Sequence, residues 1–132
     1  MKEYFITVNG IEQIIDDEYL YRYLPIKAFP EGQNVIPTDY FTDTDLSCDW
    51  VRLQDKPEQS PRVIKDDKRG IAKIKICRAI RLPLGKDECP FNQEIRHSPS
   101  KGNDSHSVIN GTKKLPVTKA ISNNTTLYKI VT

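Results

Sequence analysis

The sequence predicts an α+β fold that is mainly β: a single small domain over residues 1–132, mostly antiparallel sheet, one or two short helices and long ordered loops. Three observations carry this. The 15 Ile, 7 Val and 9 Thr outnumber 8 Leu and 4 Ala, and branching at Cβ stiffens χ1 in a way that suits a pleated surface better than a helix. Asn-Gly, whose residues tolerate positive φ, stands at Asn9-Gly10 between two apolar runs, a strong hairpin signal, and a second Asn-Gly at Asn110-Gly111 closes the short Ser105–Ile109 run. Gly70–Arg81 alternates Ala72, Ile74, Ile76 and Ile80 against Lys73, Lys75, Cys77, Ala79 and Arg81, which implies one buried and one solvated face.

In order along the chain, Lys2–Val8 and Ile11–Ile15 read as the arms of the first hairpin. Asp16-Asp17-Glu18 then precedes Tyr19–Leu24. Acidic residues favour the first turn of a helix, and Pro25 ends it, so a short helix is expected there. On that helix Arg22 would pair with Glu18 one turn back. From Pro25 to Pro61 five prolines interrupt the chain, and scattered anchors such as Phe41, Leu46 and Trp50 indicate ordered irregular structure. Gln59–Arg69 is polar and reads as a mobile loop. After the Gly70–Arg81 strand, Pro83–Glu94 is rich in turn formers. Ser105–Ile109 reads as a short strand, Pro116 starts a short helix through Ile121 with Asn123 near its end, and Thr125–Thr132 is a terminal strand.

Composition narrows the functional classes. A length of 132 residues suits one domain of about 100–200 residues. No stretch reaches the ~20 apolar residues of a membrane span, and the first residues lack the apolar core of a signal peptide. Cys48, Cys77 and Cys89 are three cysteines at irregular spacing, expected as free thiols in a reducing cytoplasm. The net charge of +2 divides into 5 basic and 12 acidic groups over residues 1–61 and 15 basic and 6 acidic groups over residues 62–132. That asymmetry marks either an anionic partner for the basic half or two halves lying against each other.

Both histidines fall in the stretch Arg96–Gly111, among hydroxyls and basic groups, and histidine is the usual proton carrier near neutrality. Arg22, Arg96, Lys101, the Gly102 backbone and His97 or His106 can together grip a phosphate and move a proton. The P-loop spacing is absent, so triphosphate hydrolysis is not expected. Cys48, Cys77, Cys89, His97 and His106 lack the paired spacing of a zinc site, and nothing here calls for a metal or a cofactor. Ser98, Ser100, Ser105 and Ser107 flank the histidines without a nucleophile elbow. Lys73, Lys75 and Arg81 on one strand face can follow a nucleic-acid backbone, although lysines also protect an edge strand from aggregation. With Val108 turned inward, period two sends His106 inward as well, where Asp104, Ser47 or a backbone carbonyl would bond its ring.

The segments Asp16–Arg22, Pro37–Phe41 with Leu46-Ser47, and His106–Gly111 resemble a loose group of small uncharacterised bacterial proteins. That group's pattern runs Leu-Tyr-Arg, then a Phe and a Leu-Ser, then a late His before a short apolar run and Gly. The resemblance covers those segments only and implies no activity; it singles out Arg22, Ser47 and His106 as a set. The same three residue types are similar to those by which ADP-ribosyltransferase-like folds bind a dinucleotide, but the glutamate those enzymes need has no counterpart.

Three functions follow as expectations. The first is a non-catalytic accessory protein of a bacterial cytoplasm, acting through a protein partner or itself. The second is a small enzyme on a phosphate- or nucleotide-containing substrate, with His106 or His97 as acid and base and Arg22 as anion clamp. The third is nucleic-acid binding through Lys73, Lys75 and Arg81. The first two are separated by whether Arg22 meets a histidine in one concavity.

Overall fold

Asn9 and Gly10 take φ of 52° and 78°, so the chain reverses in two residues and β1 (Phe5–Val8) pairs with β2 (Ile11–Ile14), Val8 opposite Ile11. The computed structural model describes residues 2–30 and 35–132. The hairpin forms its own two-stranded sheet, packed through Phe5 and Ile14 against a six-stranded antiparallel sheet of order β6-β7-β4-β3-β5-β8. Its strands are β3 (Tyr19–Leu24), β4 (Asp45–Trp50), β5 (Gly70–Lys75), β6 (Glu94–His97), β7 (His106–Asn110) and β8 (Thr125–Ile130). Among the described residues there are three short α-helices, α1 (Pro61–Ile64), α2 (Arg78–Arg81) and α3 (Leu115–Asn123), and five single-turn 3₁₀ helices. The domain is thus α+β and mainly β, as its composition predicts.

Tyr19–Leu24 is not a helix. It is a central strand, buried on both faces, with Leu20 and Leu24 on one side and Tyr21 and Tyr23 on the other. A strand covered on both faces shows no polar alternation, and pairing along six residues of β5 outweighs the weak local preference set by the preceding acids. Glu18 therefore does not meet Arg22; its carboxylate takes Arg52 Nε and the Trp50 indole N–H at 2.7 and 3.0 Å.

The alternation holds only from Ala72 to Lys75, because Ile71, on the face of Lys73 and Lys75, is fully buried under the second cluster; Ala72, Ile74, Ile76 and Ile80 are buried as expected. The strand then ends, and Arg81 is not on a solvated face. It lies in the one-turn helix α2, buried, with Nε on Asp16 Oδ1 at 3.1 Å, NH1 on Gln13 Oε1 at 2.6 Å and NH2 on the Ile14 carbonyl. Gln59–Arg69 is not wholly a loop either: Ser60 caps α1 by accepting from Arg62 N, and Val63 is buried. Pro116 does start a helix, α3, near its first residue.

The main core lies on one face of the sheet, where Leu20, Leu46, Trp50, Ile74 and Ile109 meet Phe41, Ile80, Val117 and Ile121. The opposite face carries a smaller cluster of Tyr21, Tyr23, Val63 and Ile71. Beside that cluster the face stays open. Among the described residues no helix is long and apolar enough to cross a membrane.

Candidate functional site

The sheet is split in its middle. β3 and β4 pair only through Leu20 opposite Trp50 and Tyr21 opposite Asp49, although β3 continues along β5 to Leu24 and β4 lies along β7 from Asp45. Arg22 enters the gap. Its NH1 donates to the Ser47 carbonyl at 2.8 Å and its NH2 to the Tyr40 carbonyl at 3.5 Å. Its NH2 also pairs with the exposed Asp43 carboxylate at 3.5 Å. The Arg22 side chain is only 11% exposed, and among the described residues its buried Nε has no partner. Two carbonyls and one exposed carboxylate compensate this cation only in part, so an anion in reach of it would add to them.

Period two sets the rest of the site. Ser47 faces Val108 and Asp49 faces His106 across the β4–β7 ladder, so these four share one face and His106 lies diagonal to Ser47. His106 Nδ1 sits 2.7 Å from the Ser98 carbonyl, and Nε2 sits 3.4 Å from Ser47 Oγ. A carbonyl only accepts, so the neutral ring carries its proton on Nδ1 and turns the Nε2 lone pair toward Ser47. His106 is half-buried, with two of the partners its inward placement requires.

These groups line a cavity of about 570 Å³ between the open sheet face, the segment from Gln54 to Asp66 and the loop from Ser98 to Ser105. Arg22, Lys56, Arg62 and Lys101 bring positive charge to it, and Asp49, Asp55 and Asp66 bring acceptors. Asp49, 4% exposed, is committed to structure. It accepts from Tyr23 Oη at 2.7 Å, Asn103 Nδ2 at 2.9 Å and Gln54 Nε2 at 3.4 Å. Burial first, then the Asp49 hydrogen bond, holds the Tyr23 phenol far above its ordinary pKa. It therefore remains a donor.

The structure brings Arg22, Ser47, Lys101 and His106 together and leaves the other candidates elsewhere. His97 packs against Trp50 at 5.3 Å and Phe5 at 6.3 Å, its Nε2 on the Asp104 carbonyl at 2.6 Å. Arg96 faces Glu94 at 3.6 Å. Lys73 lies over the Tyr19 and Tyr128 rings at 5.0 and 5.4 Å, and Lys75 is 3.6 Å from Asp17. Arg81 is in the core.

Sequence reasoning did not single out Asp49, Arg62 or Asn103 for the site. Asp49 follows Ser47 by two residues and becomes legible once Asp45–Trp50 is known to be a strand. Arg62 lies in the polar Gln59–Arg69 stretch and Asn103 between the two histidines, and neither has a neighbour in sequence that marks it as a site residue. Among the described residues no cluster of three or more His, Cys, Asp and Glu is arranged to hold a metal. Comparison with protein-family models, with curated proteins and with solved structures gives no match.

Proposed function

We propose that the protein is a small enzyme acting on a phosphate-containing ligand of the nucleotide class, with Arg22 as the anion clamp and His106 as general base and acid. One observation carries this: Arg22 and His106, from separate strands, both meet Ser47 in a single cavity. The guanidinium supplies the planar donors that suit phosphate oxygens. The Nε2 lone pair can take a proton from a ligand hydroxyl and return it to a leaving oxygen.

A cavity of about 570 Å³ falls within the ~300–1,000 Å³ of small-molecule sites and exceeds what inorganic phosphate needs. Asp55 and Asp66 on its wall can accept from sugar hydroxyls, while Lys56, Arg62 and Lys101 can take a second phosphate. We place the protein in a reducing cytoplasm, where its three free cysteines would stay thiols.

The accessory-protein reading draws on the edge strand β8, which exposes Leu127, Tyr128 and Ile130. Nucleic-acid binding draws on Lys73 and Lys75 beside Tyr19 and Tyr128. Neither surface has the convergence of the cavity.

Titration calorimetry with inorganic phosphate, a nucleoside monophosphate and a nicotinamide dinucleotide tests the proposal. A nucleotide should bind more tightly than phosphate. Arg22→Gln should weaken binding by about tenfold or more, since hydrogen bonds to a charged group contribute about 1.5–3 kcal/mol. His106→Gln should retain binding and lose conversion of the bound nucleotide, followed by chromatography. Absence of binding by all three ligands, or binding indifferent to Arg22, would overturn it.

A further inference from the structure

We infer that Ser47 is a nucleophile activated by His106, which takes the phosphoryl group of a phosphate ester onto its Oγ; this deepens the phosphate-ligand reading and rests on it for the substrate class. Nucleophilic catalysis by serine needs a hydroxyl beside a base and a third group that orients the base. Ser47 Oγ, His106 Nε2 and the Ser98 carbonyl on Nδ1 supply that set, at 3.4 and 2.7 Å. The longer distance lies at the far end of hydrogen bonding, as catalytic contacts often do before substrate draws them together.

Other buried serines are differently engaged. The Ser105 hydroxyl bonds Asn103 Oδ1 at 2.6 Å, Ser107 the Ser105 carbonyl at 3.1 Å and Ser122 the Ile36 carbonyl at 2.6 Å. Ser47 is half-buried, lines the cavity and has the imidazole beside its hydroxyl. Its backbone carbonyl is also held by Arg22 NH1 at 2.8 Å. Nucleophile and anion clamp thus keep a fixed offset, the condition for near-attack geometry without reorganisation.

The reaction has two steps. In the first, an Oγ lone pair forms the Oγ–P bond as the ester P–O bond breaks. His106 Nε2 takes the hydroxyl proton and hands it to the departing alkoxide. In the second, water attacks phosphorus, Nε2 takes a water proton, and the P–Oγ bond breaks as that proton returns to Ser47. The net reaction is hydrolysis of one phosphate ester bond, with nothing oxidised or reduced.

An alkyl fluorophosphonate tests the first step on the whole chain, because Oγ–P formation expels fluoride and leaves a stable adduct. Intact mass and peptide mapping should find one adduct, on Ser47. His106→Gln and His106→Asn, each checked for native circular dichroism, should slow labelling by about 100-fold or more, the usual range for a general base. Ser47→Ala should not label, whereas Ser100→Ala should label like the unaltered protein. No adduct on the unaltered protein, an adduct at another residue, or labelling at Ser47 indifferent to both His106 variants would each overturn the inference. Nucleotide binding without labelling removes Ser47 as nucleophile and leaves the ligand proposal standing. Labelling at Ser47 without nucleotide binding upholds the nucleophile and removes the phosphate-ligand assignment.

Discussion

The side-chain amide of Asn103 donates to the Asp49 carboxylate at 2.9 Å, tying the tip of the Ser98–Ser105 loop to the C-terminal end of β4. Asn103 Oδ1 also accepts from Ser105 N at 3.2 Å. The Ser100–Asn103 bridge tightens the same turn. Asn103→Ala removes the donor to Asp49 Oδ1 beside the cavity and should cost about 1–3 kcal/mol, the usual penalty for stranding a buried polar group. Urea unfolding measures that cost, and amide exchange should quicken across residues 100–106. Unchanged unfolding and exchange would show that the loop is held by something else.

A Cβ placed on Gly70 would lie 2.1 Å from Phe29 Cε2 and 3.1 Å from the Leu24 carbonyl oxygen. The Phe29 ring occupies the space a side chain would need at the start of β5. Gly70→Ala should lower stability by about 1–3 kcal/mol, as overpacking does. Adding Phe29→Leu should recover part of the loss if ring contact is the cause. Thermal melts of the two variants compare directly.

Cys48 is buried in the core, while Cys77 and Cys89 are half-exposed. A disulfide-exchange reagent should therefore titrate two thiols in the folded protein and the third only on unfolding. Rapid reaction of Cys48 in the native state would contradict its burial.

Burial also pushes the Cys48 thiol up to about 12 from an ordinary value of 9.0. Between those values the unfolded chain ionises while the native chain keeps its proton. The contribution to stability is full below pH 9 and fades as pH rises through that window. Cys48→Ala should flatten this alkaline component in a pH series of unfolding measurements.

The acid side has its own marker. Hydrogen bonds from Arg52, then from the Trp50 indole, hold the Glu18 carboxyl below its ordinary value of 4.5. A depressed acid stabilises the fold above its unfolded pKa and loses that contribution as pH falls through the folded value. Glu18→Gln should reduce stability at neutral pH and make the acid limb shallower. A variant whose acid limb matches the original would show that Glu18 is not the group responsible.

Much of the architecture was legible because it is local. Asn9-Gly10 fixes its hairpin within two residues, and Pro116 starts α3 by its own fixed φ and missing donor. β3 was not legible: its apolar run lacks the alternation that separates strand from helix, and its identity comes from β5. β4 differs: Asp45, Ser47 and Asp49 alternate with Leu46, Cys48 and Trp50, a strand pattern that is short and follows a proline-rich stretch whose irregularity masked it. In the site, Arg22, Ser47, Lys101 and His106 stood out by chemical type. The bonds from Tyr23 and Asn103 to Asp49 did not, because they cross the sheet and need a register that sequence spacing does not supply.

Two rungs join the halves of the main sheet, at Leu20–Trp50 and Tyr21–Asp49. Beyond them, the guanidinium of Arg22 bridges the β4 carbonyl that continued pairing would otherwise engage. Pulled apart from its two edges, β6 and β8, the sheet should tear first along this seam. An anion that adds to Arg22 while the guanidinium keeps the Ser47 carbonyl would stiffen the seam, coupling occupancy of the cleft to the rigidity with which the sheet's two halves are joined.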